Sequence, residues 1–240
     1  MEQIIYNSYS DLSLKTAEMI AAIITEKPDA LLCFPAGDTS VGTFNHLIEF
    51  NKAGKISFKR SKIVGLDEWT NLRKMSSENC FSFLKKHLFD QIDLTPSNLC
   101  FFDGESFDLE EECNKTDIFI RENGPIDMML LGVGMNGHLG LNEPGTPFDL
   151  YSHIVHLDNV TKKVGQKYFS GDVILTGGIS LGIKFIMEAK NVILQLNGEK
   201  KACIAKRLIE SEISPDFPAS VIKSHINSFL LMDKEASKYL

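Results

Sequence analysis

The densest chemistry in the 240-residue chain lies in Leu130-Leu131-Gly132-Val133-Gly134-Met135-Asn136-Gly137-His138-Leu139-Gly140-Leu141-Asn142-Glu143-Pro144-Gly145. An apolar run empties into a glycine-rich loop that carries Asn136, His138, Asn142 and Glu143. Imidazole titrates nearest neutrality of all side chains, so a histidine held near a carboxylate on such a loop is equipment for moving protons. A second group is Leu66-Asp67-Glu68-Trp69, two adjacent carboxylates that follow another apolar run. In a regular strand they point to opposite faces, so one enters a cleft while the other bonds locally. Asp67 is the candidate for the inward one, set against a plainer reading in which both cap the following turn.

The third group, Phe34-Pro35-Ala36-Gly37-Asp38-Thr39-Ser40-Val41-Gly42-Thr43-Phe44, reads as a strand, a turn and a helix start. Gly37 lets the backbone approach an anion, Thr39 and Ser40 offer hydroxyls, and the new helix offers free N–H groups and its positive end. No Gly-Lys-Ser or Gly-Lys-Thr follows, so this is not a Walker loop, and a glycine turn after a strand also arises for structural reasons alone. Further basic candidates are Lys167, in Gly165-Gln166-Lys167-Tyr168-Phe169, and Lys200 and Lys201, which begin a helix directly after the Val192 to Leu196 run and so can reach an anion near the switch point. Taken singly, each lysine reads as solvated surface. No trio of metal ligands gathers anywhere, so no metal is required.

These groups need a frame. Ala30–Phe34, Lys62–Leu66, Ile126–Val133, Val173–Leu175 and Asn191–Leu196 are apolar nearly throughout, as strands buried on both faces of a parallel sheet must be. Between them lie helix-like segments at about 10–26, 39–52, 76–88, 108–122, 159–168, 178–187 and 199–210. The alternation predicts an α/β fold, with Ser10 and Asp11 starting one helix and Ser76-Ser77-Glu78-Asn79 capping another. Pro144, Pro147 and Ser214–Pro218 mark loops, but no low-complexity linker and no repeat divides the chain, so one domain over 1–240 is expected. Ligands of such sheets sit beyond the carboxyl ends of the strands, where all the groups above fall.

With 43% hydrophobic and 24% charged residues the chain has the makeup of a soluble globular protein, which excludes disordered, collagenous and disulfide-scaffold classes. The net charge of −7 comes with no basic arm or stripe, so nucleic acid is not an expected partner. Five cysteines, odd in number, widely spaced and without a Cys-x-x-Cys pair, suit reduced buried thiols. There is no basic-then-apolar leader and no run of about 18 apolar residues, so no membrane partner and a cytoplasmic location are expected. Isologous contacts leave no mark in a single chain, and a homo-oligomer stays open.

In order along nearly the whole chain, Pro35-Ala36-Gly37-Asp38-Thr39, Leu66-Asp67-Glu68-Trp69, Gly137-His138-Leu139-Gly140-Leu141-Asn142-Glu143-Pro144 and Gly198-Glu199-Lys200-Lys201-Ala202 resemble the deaminase branch of the glucosamine/galactosamine-6-phosphate isomerase and 6-phosphogluconolactonase family. The Asn142-Glu143-Pro144 step is what marks the deaminases. The resemblance implies a three-layer αβα Rossmann-like sandwich with a mainly parallel sheet, and a small amino-sugar phosphate as substrate. It implies that Asp67 moves a proton between C2 and C1 of the opened sugar and that His138, paired with Glu143, opens the ring. Gly37, Asp38 and Thr39, with Lys167 and Lys201, are implied to hold the phosphate, and no redox cofactor takes part. An ionised Asp38 donates only through its backbone, so its side chain is expected to turn from the phosphate.

Three features depart from that family pattern. Asn136 stands where many members have Asp, and an amide orients an imidazole without stabilising its cation. Lys167 stands where many have Arg, and the segment from Lys167 to Thr176-Gly177-Gly178, read as a turn, is short for the family's lid. The Tyr151–Val155 stretch and a chain stopping at Leu240 imply hyperbolic kinetics without allosteric activation. The rival readings are a galactosamine-6-phosphate deaminase giving tagatose 6-phosphate, a 6-phosphogluconolactonase, and a silent sugar-phosphate sensor, which would carry a DNA-binding segment before the first strand.

Overall fold

Successive residues of a strand face opposite sides, so runs that are apolar nearly throughout need cover on both. The computed structural model, which describes residues 1–70, 72 and 78–240, supplies that cover. Its strands are β1 (Glu2–Tyr6), β2 (Leu31–Phe34), β3 (Lys62–Gly65), β4 (Asp67–Thr70), β5 (Leu99–Cys100), β6 (Met128–Gly132), β7 (His153–His156), β8 (Gly177–Ser180), β9 (Val192–Leu196) and β10 (Ser228–Asp233). Its α-helices are α1 (Tyr9–Glu26), α2 (Val41–Lys52), α3 (Cys80–His87), α4 (Leu109–Asn123), α5 (Asn159–Gly165), α6 (Ile183–Glu188) and α7 (Ala202–Glu210).

Among the described residues, seven strands form one parallel sheet in the order β1-β10-β9-β6-β2-β3-β5. Leu32 and Phe34 of β2 and Leu130 of β6 pack with Leu12 and Ile20 of α1, Phe44 and Leu47 of α2 and Leu84 of α3. Leu31, Cys33 and Leu131 face the other way, onto Ile120 of α4, Ile183 and Ile186 of α6 and Ile204 and Leu208 of α7. The result is the three-layer αβα sandwich with a parallel sheet.

A second sheet, β4-β8-β7, is antiparallel and stands at the carboxyl end of β3. It corrects two expectations. Val173–Leu175 is not a strand: Ile174 is 84% exposed, and the chain pairs only from Gly177. Gly177 and Gly178, expected in a turn, are the first residues of β8, and a Cβ on Gly178 would lie 2.2 Å from Leu141 Cδ1. Helix α6 therefore starts at Ile183 rather than near 178. Ser10 lies inside α1, whose cap is Ser8, the Oγ accepting from the Asp11 N–H. Asn79 caps α3 through the Ser82 N–H, while Ser76 and Ser77 lie outside the described residues.

The chain leaves β2 toward β3 on one side and later returns with β6 on the other, so the sheet order reverses at β2/β6. Such a reversal opens a crevice beyond the strand ends. The chemically equipped segments follow β2, β3, β6 and β9, four strands that adjoin there. No helix among the described residues is long and apolar enough to cross a membrane.

Candidate active site

A cavity at these strand ends is lined by Gly37, Asp38, Thr39, Asp67, His138, Lys167 and Lys201 together. Asn136 and Glu143 stand behind His138, within its hydrogen-bond network.

Asp67 and Glu68 divide as period-two alternation requires. The Glu68 carboxylate turns away and accepts the N–H groups of Trp69, Cys80 and Phe81 at 2.8–3.0 Å, closing the free amino end of α3. Asp67 lines the cavity beside Gly140, whose positive φ of 58° lets the glycine loop come close. Burial, reinforced by the Glu68 charge and opposed by a hydrogen bond from the Cys80 thiol, pushes Asp67 up to about 7. A carboxylate poised there can take a proton and give it back near neutral pH.

His138 is seated by space and by charge. Its ring lies against Gly134, where a Cβ would come within 2.3–2.4 Å of three ring atoms. His138 Nδ1 is 3.4 Å from Glu143 Oε2 and 3.1 Å from Thr161 Oγ1. Burial pushes Glu143 up, but hydrogen bonds from His138, Thr161 and Asn136 outweigh it and hold the carboxyl below the ordinary glutamate value. An ionised Glu143 only accepts, so the neutral imidazole keeps its proton on Nδ1 and leaves Nε2 as the acceptor.

Asn136 does not orient the ring directly, as the sequence had suggested. Its Nδ2 donates to Glu143 Oε2 at 2.8 Å and, more weakly, to Asp158 Oδ1 at 3.4 Å. Its Oδ1 accepts the His138 backbone N–H at 3.3 Å. The amide thus satisfies Glu143 without adding charge. Asn136→Asp puts a second carboxylate against Glu143, and two so close resist ionising together. The Glu143 carboxyl should therefore titrate about one unit higher in the variant, read from its carboxyl NMR signal against pH, and a titration unchanged from the wild type would remove the amide from this network.

The Asp38–Ser40 3₁₀ turn, also part of the cavity wall, leads into α2. Tyr9 braces it from α1: the hydroxyl donates to the Thr39 carbonyl at 2.9 Å and accepts the Gly42 N–H at 2.8 Å. The Asp38 carboxylate is 2.6 Å from Lys167 Nζ, so the acid in this turn is neutralised by a lysine of the same cavity. Burial pulls Lys167 down, but the contacts with Asp38 and Tyr168 prevail and keep it above the ordinary lysine value. Lys201, on the turn after β9, donates to the Val133 carbonyl at 2.5 Å. Burial, with repulsion from Lys167, lowers it to about 8. Two lysines on one cavity wall with a turn of N–H donors make a site that an anion would relieve.

Sequence reasoning did not single out Tyr9, Cys80, Asp158 or Thr161. Thr161 lies 23 residues from His138 and Tyr9 lies 30 from Thr39, so no local spacing signals either contact.

Residues 7–231 match the model of the family described as glucosamine-6-phosphate isomerases/6-phosphogluconolactonase. A glucosamine-6-phosphate deaminase of Bacillus pumilus (strain SAFR-032) is 40% identical over 237 residues, covering 98% of each chain. Glucosamine-6-phosphate deaminase 1 of Bacillus subtilis (strain 168) is 36% identical over 96% of each. A solved structure of a monomeric glucosamine-6-phosphate deaminase superposes over 100% of both chains, with a TM-score of 0.96 and 34% identity. A 6-phosphogluconolactonase from Thermotoga maritima shares the fold, with a TM-score of 0.77 at 17% identity over 97% of this chain and 99% of its own.

Proposed function

The chain belongs to the glucosamine-6-phosphate isomerase/6-phosphogluconolactonase family, and from that premise we propose that it converts glucosamine 6-phosphate and water to fructose 6-phosphate and ammonia. One observation carries the reading: a carboxylate left out of the capping network, Asp67, and an imidazole backed by an ionised carboxylate, His138 with Glu143, line one cavity together with two lysines. Lactone hydrolysis needs one proton acceptor to activate water. An aldose-to-ketose shift needs two, one for the ring and one for carbon.

The steps follow from those groups. The turn at Gly37, Asp38 and Thr39 holds the phosphate through backbone and hydroxyl donors, with Lys201 and Lys167 supplying charge. The dianion competes with Asp38 for Lys167. His138 Nε2 takes the proton of the C1 hydroxyl, and the imidazolium, stabilised by Glu143, returns a proton to the ring oxygen as the C1–O5 bond breaks. Asp67 then takes the proton from C2 as O1 takes one from solvent water, leaving an enolamine, and Asp67 delivers a proton to C1. The resulting C2 iminium adds water, and the carbinolamine expels ammonia. The net change is hydrolytic loss of the amine.

The pH dependence follows from two shifted groups. Asp67 must be ionised to act, and its value of about 7 sets the acidic limb of kcat/KM. Lys201 must be charged to bind phosphate, and its value of about 8 sets the alkaline limb. In the bound complex the phosphate holds the proton on Lys201, so the alkaline limb of kcat should lie above that of kcat/KM. Lys201→Arg should carry the kcat/KM limb beyond the lysine range. An unchanged alkaline limb in that variant would remove Lys201 from phosphate binding.

The identity of the substrate is tested by ammonia release from glucosamine 6-phosphate and galactosamine 6-phosphate side by side, with 6-phosphogluconolactone as control. Ammonia and fructose 6-phosphate in equal amounts from the first is the expected result. Lactone hydrolysis without ammonia, or turnover of the C4 epimer alone, would overturn the substrate assignment.

A further inference from the structure

Gly37, Asp38, Thr39 and Ser40 line the cavity, whereas Tyr9, which grips the same turn, does not. Tyr9 is the first residue of α1, seated by the Ser8 cap, and its half-buried ring packs against the core that α1 and α2 share. Its hydroxyl donates to the Thr39 carbonyl at 2.9 Å, stands 3.3 Å from the Asp38 carbonyl and accepts the Gly42 N–H at 2.8 Å. The sequence of α2 makes room for this approach. A Cβ on Gly42 would lie 2.9 Å from the Tyr9 hydroxyl and 2.4 Å from Ser13 Oγ, so any larger residue would push the two helices apart.

A trans peptide is planar, with its C=O and N–H on opposite sides. The Asp38 carbonyl shares a peptide with the Thr39 N–H, and the Thr39 carbonyl shares one with the Ser40 N–H, which closes the turn on the Gly37 carbonyl at 3.2 Å. A hydroxyl set against those two carbonyls from α1 therefore fixes the tilt of both peptides, and with it the aim of the Thr39 N–H and the seat of the Thr39 side chain. We propose that Tyr9 is a positioning residue for the substrate phosphate: its hydroxyl holds the Gly37–Thr39 turn in the geometry that receives the phosphate, without touching it. The proposal rests on the reading of this turn as the phosphate site. A second tie joins the helices deeper down, where Gln195 of β9, 1% exposed, donates to Thr16 Oγ1 of α1 and Thr43 Oγ1 of α2, each at 2.9 Å. Loss of the Tyr9 hydroxyl should thus loosen the turn and leave the helix pair standing.

The test compares Tyr9→Phe with the wild type, by KM and kcat for glucosamine 6-phosphate, by competitive inhibition with inorganic phosphate and by the thermal transition. The variant keeps the ring on the core and removes the hydroxyl alone. KM and the inhibition constant of phosphate should rise together by about three- to tenfold, the scale of one lost hydrogen bond. Binding lost equally from ground and transition states leaves kcat within about twofold of the wild type. Thr16→Val is the control for a loosened helix pair: it loses one bond to Gln195, so it should lower the thermal transition and leave both constants in place. Unchanged constants in Tyr9→Phe, a loss in kcat alone, or an equal rise of both constants in Thr16→Val would overturn the proposal.

Amide hydrogen exchange on the wild-type protein covers the case in which Tyr9→Phe does not fold. The Gly42 N–H, held by the Tyr9 hydroxyl, should be protected in the free protein and exchange more slowly still with inorganic phosphate bound, because a turn fixed by phosphate in turn fixes its brace. A Gly42 amide that exchanges at the same rate with and without phosphate would overturn the proposal. Failure of the underlying reading looks different: inorganic phosphate then does not compete with glucosamine 6-phosphate in the wild type, whereas failure of the proposal leaves phosphate competing equally well in the wild type and in Tyr9→Phe.

Discussion

Asp67→Asn should abolish ammonia release, by about a thousandfold or more on the usual scale of a lost proton carrier, while leaving sugar-phosphate binding nearly intact. The amide keeps the shape of the carboxylate but cannot take a proton from carbon, and the phosphate turn and lysines are other groups of the cavity wall that it leaves unchanged. The same change should stabilise the fold. Asp67 sits at about 7 in the native protein, above its ordinary value of 3.8, so the native state holds a proton that the unfolded chain releases. That favours folding below pH 4, and the advantage is lost as pH rises through 7, leaving a strained anion at pH 8. Asp67→Asn should therefore raise Tm at pH 8 by about 2–4 °C for each kcal/mol of strain relieved, and by much less at pH 4.5. Full activity in the variant, or a lower Tm at pH 8, would contradict this account of the residue.

His138→Gln should cut turnover of the cyclic sugar by about a hundredfold or more. Glutamine can keep a hydrogen bond to Glu143 but cannot accept and return a proton. An analogue held open by removal of the ring-closing hydroxyls bypasses that step, so its turnover should fall far less. Calorimetric titration with an amino-alditol 6-phosphate should show binding close to that of the wild type. Equal losses on the closed and open substrates would move His138 out of ring opening and into a supporting role.

The two results separate because the sites of the two proton transfers sit on different elements. Asp67 belongs to β4 and answers to α3, whereas His138 belongs to the glycine loop and answers to Glu143 and Thr161. This division was legible in the sequence wherever local periodicity carries the information. The runs around Cys33, Val64, Leu130 and Leu194 are apolar nearly throughout because both faces are covered, and they are the centre of the parallel sheet. Asp67 and Glu68 split by period two, and the segments after the strand ends fell where the sheet order reverses.

What stayed hidden depends on contacts between distant segments. Gly177 and Gly178 read as a turn because glycine usually marks one, whereas here Gly178 leaves room for Leu141 in a small antiparallel sheet. Val173, Ile174 and Leu175 form an apolar run without a sheet to join. Asn136 was read as a partner of the imidazole, but its amide reaches Glu143 and Asp158, a direction set by the fold of the loop. Asp38 was expected to turn its side chain from the phosphate, but the partner it meets, Lys167, comes from a segment far along the chain.

The central claim is that nitrogen leaves only after the C2 proton has been moved, and glucosamine 6-phosphate deuterated at C2 tests it directly. Under the proposed chemistry the C2 deuterium must be broken away, so it should appear at C1 of fructose 6-phosphate or in the solvent, with ammonia in equal amount. A hexose phosphate that keeps deuterium at C2 while ammonia is released would mean direct displacement of the amine by water, and would contradict the role given to Asp67.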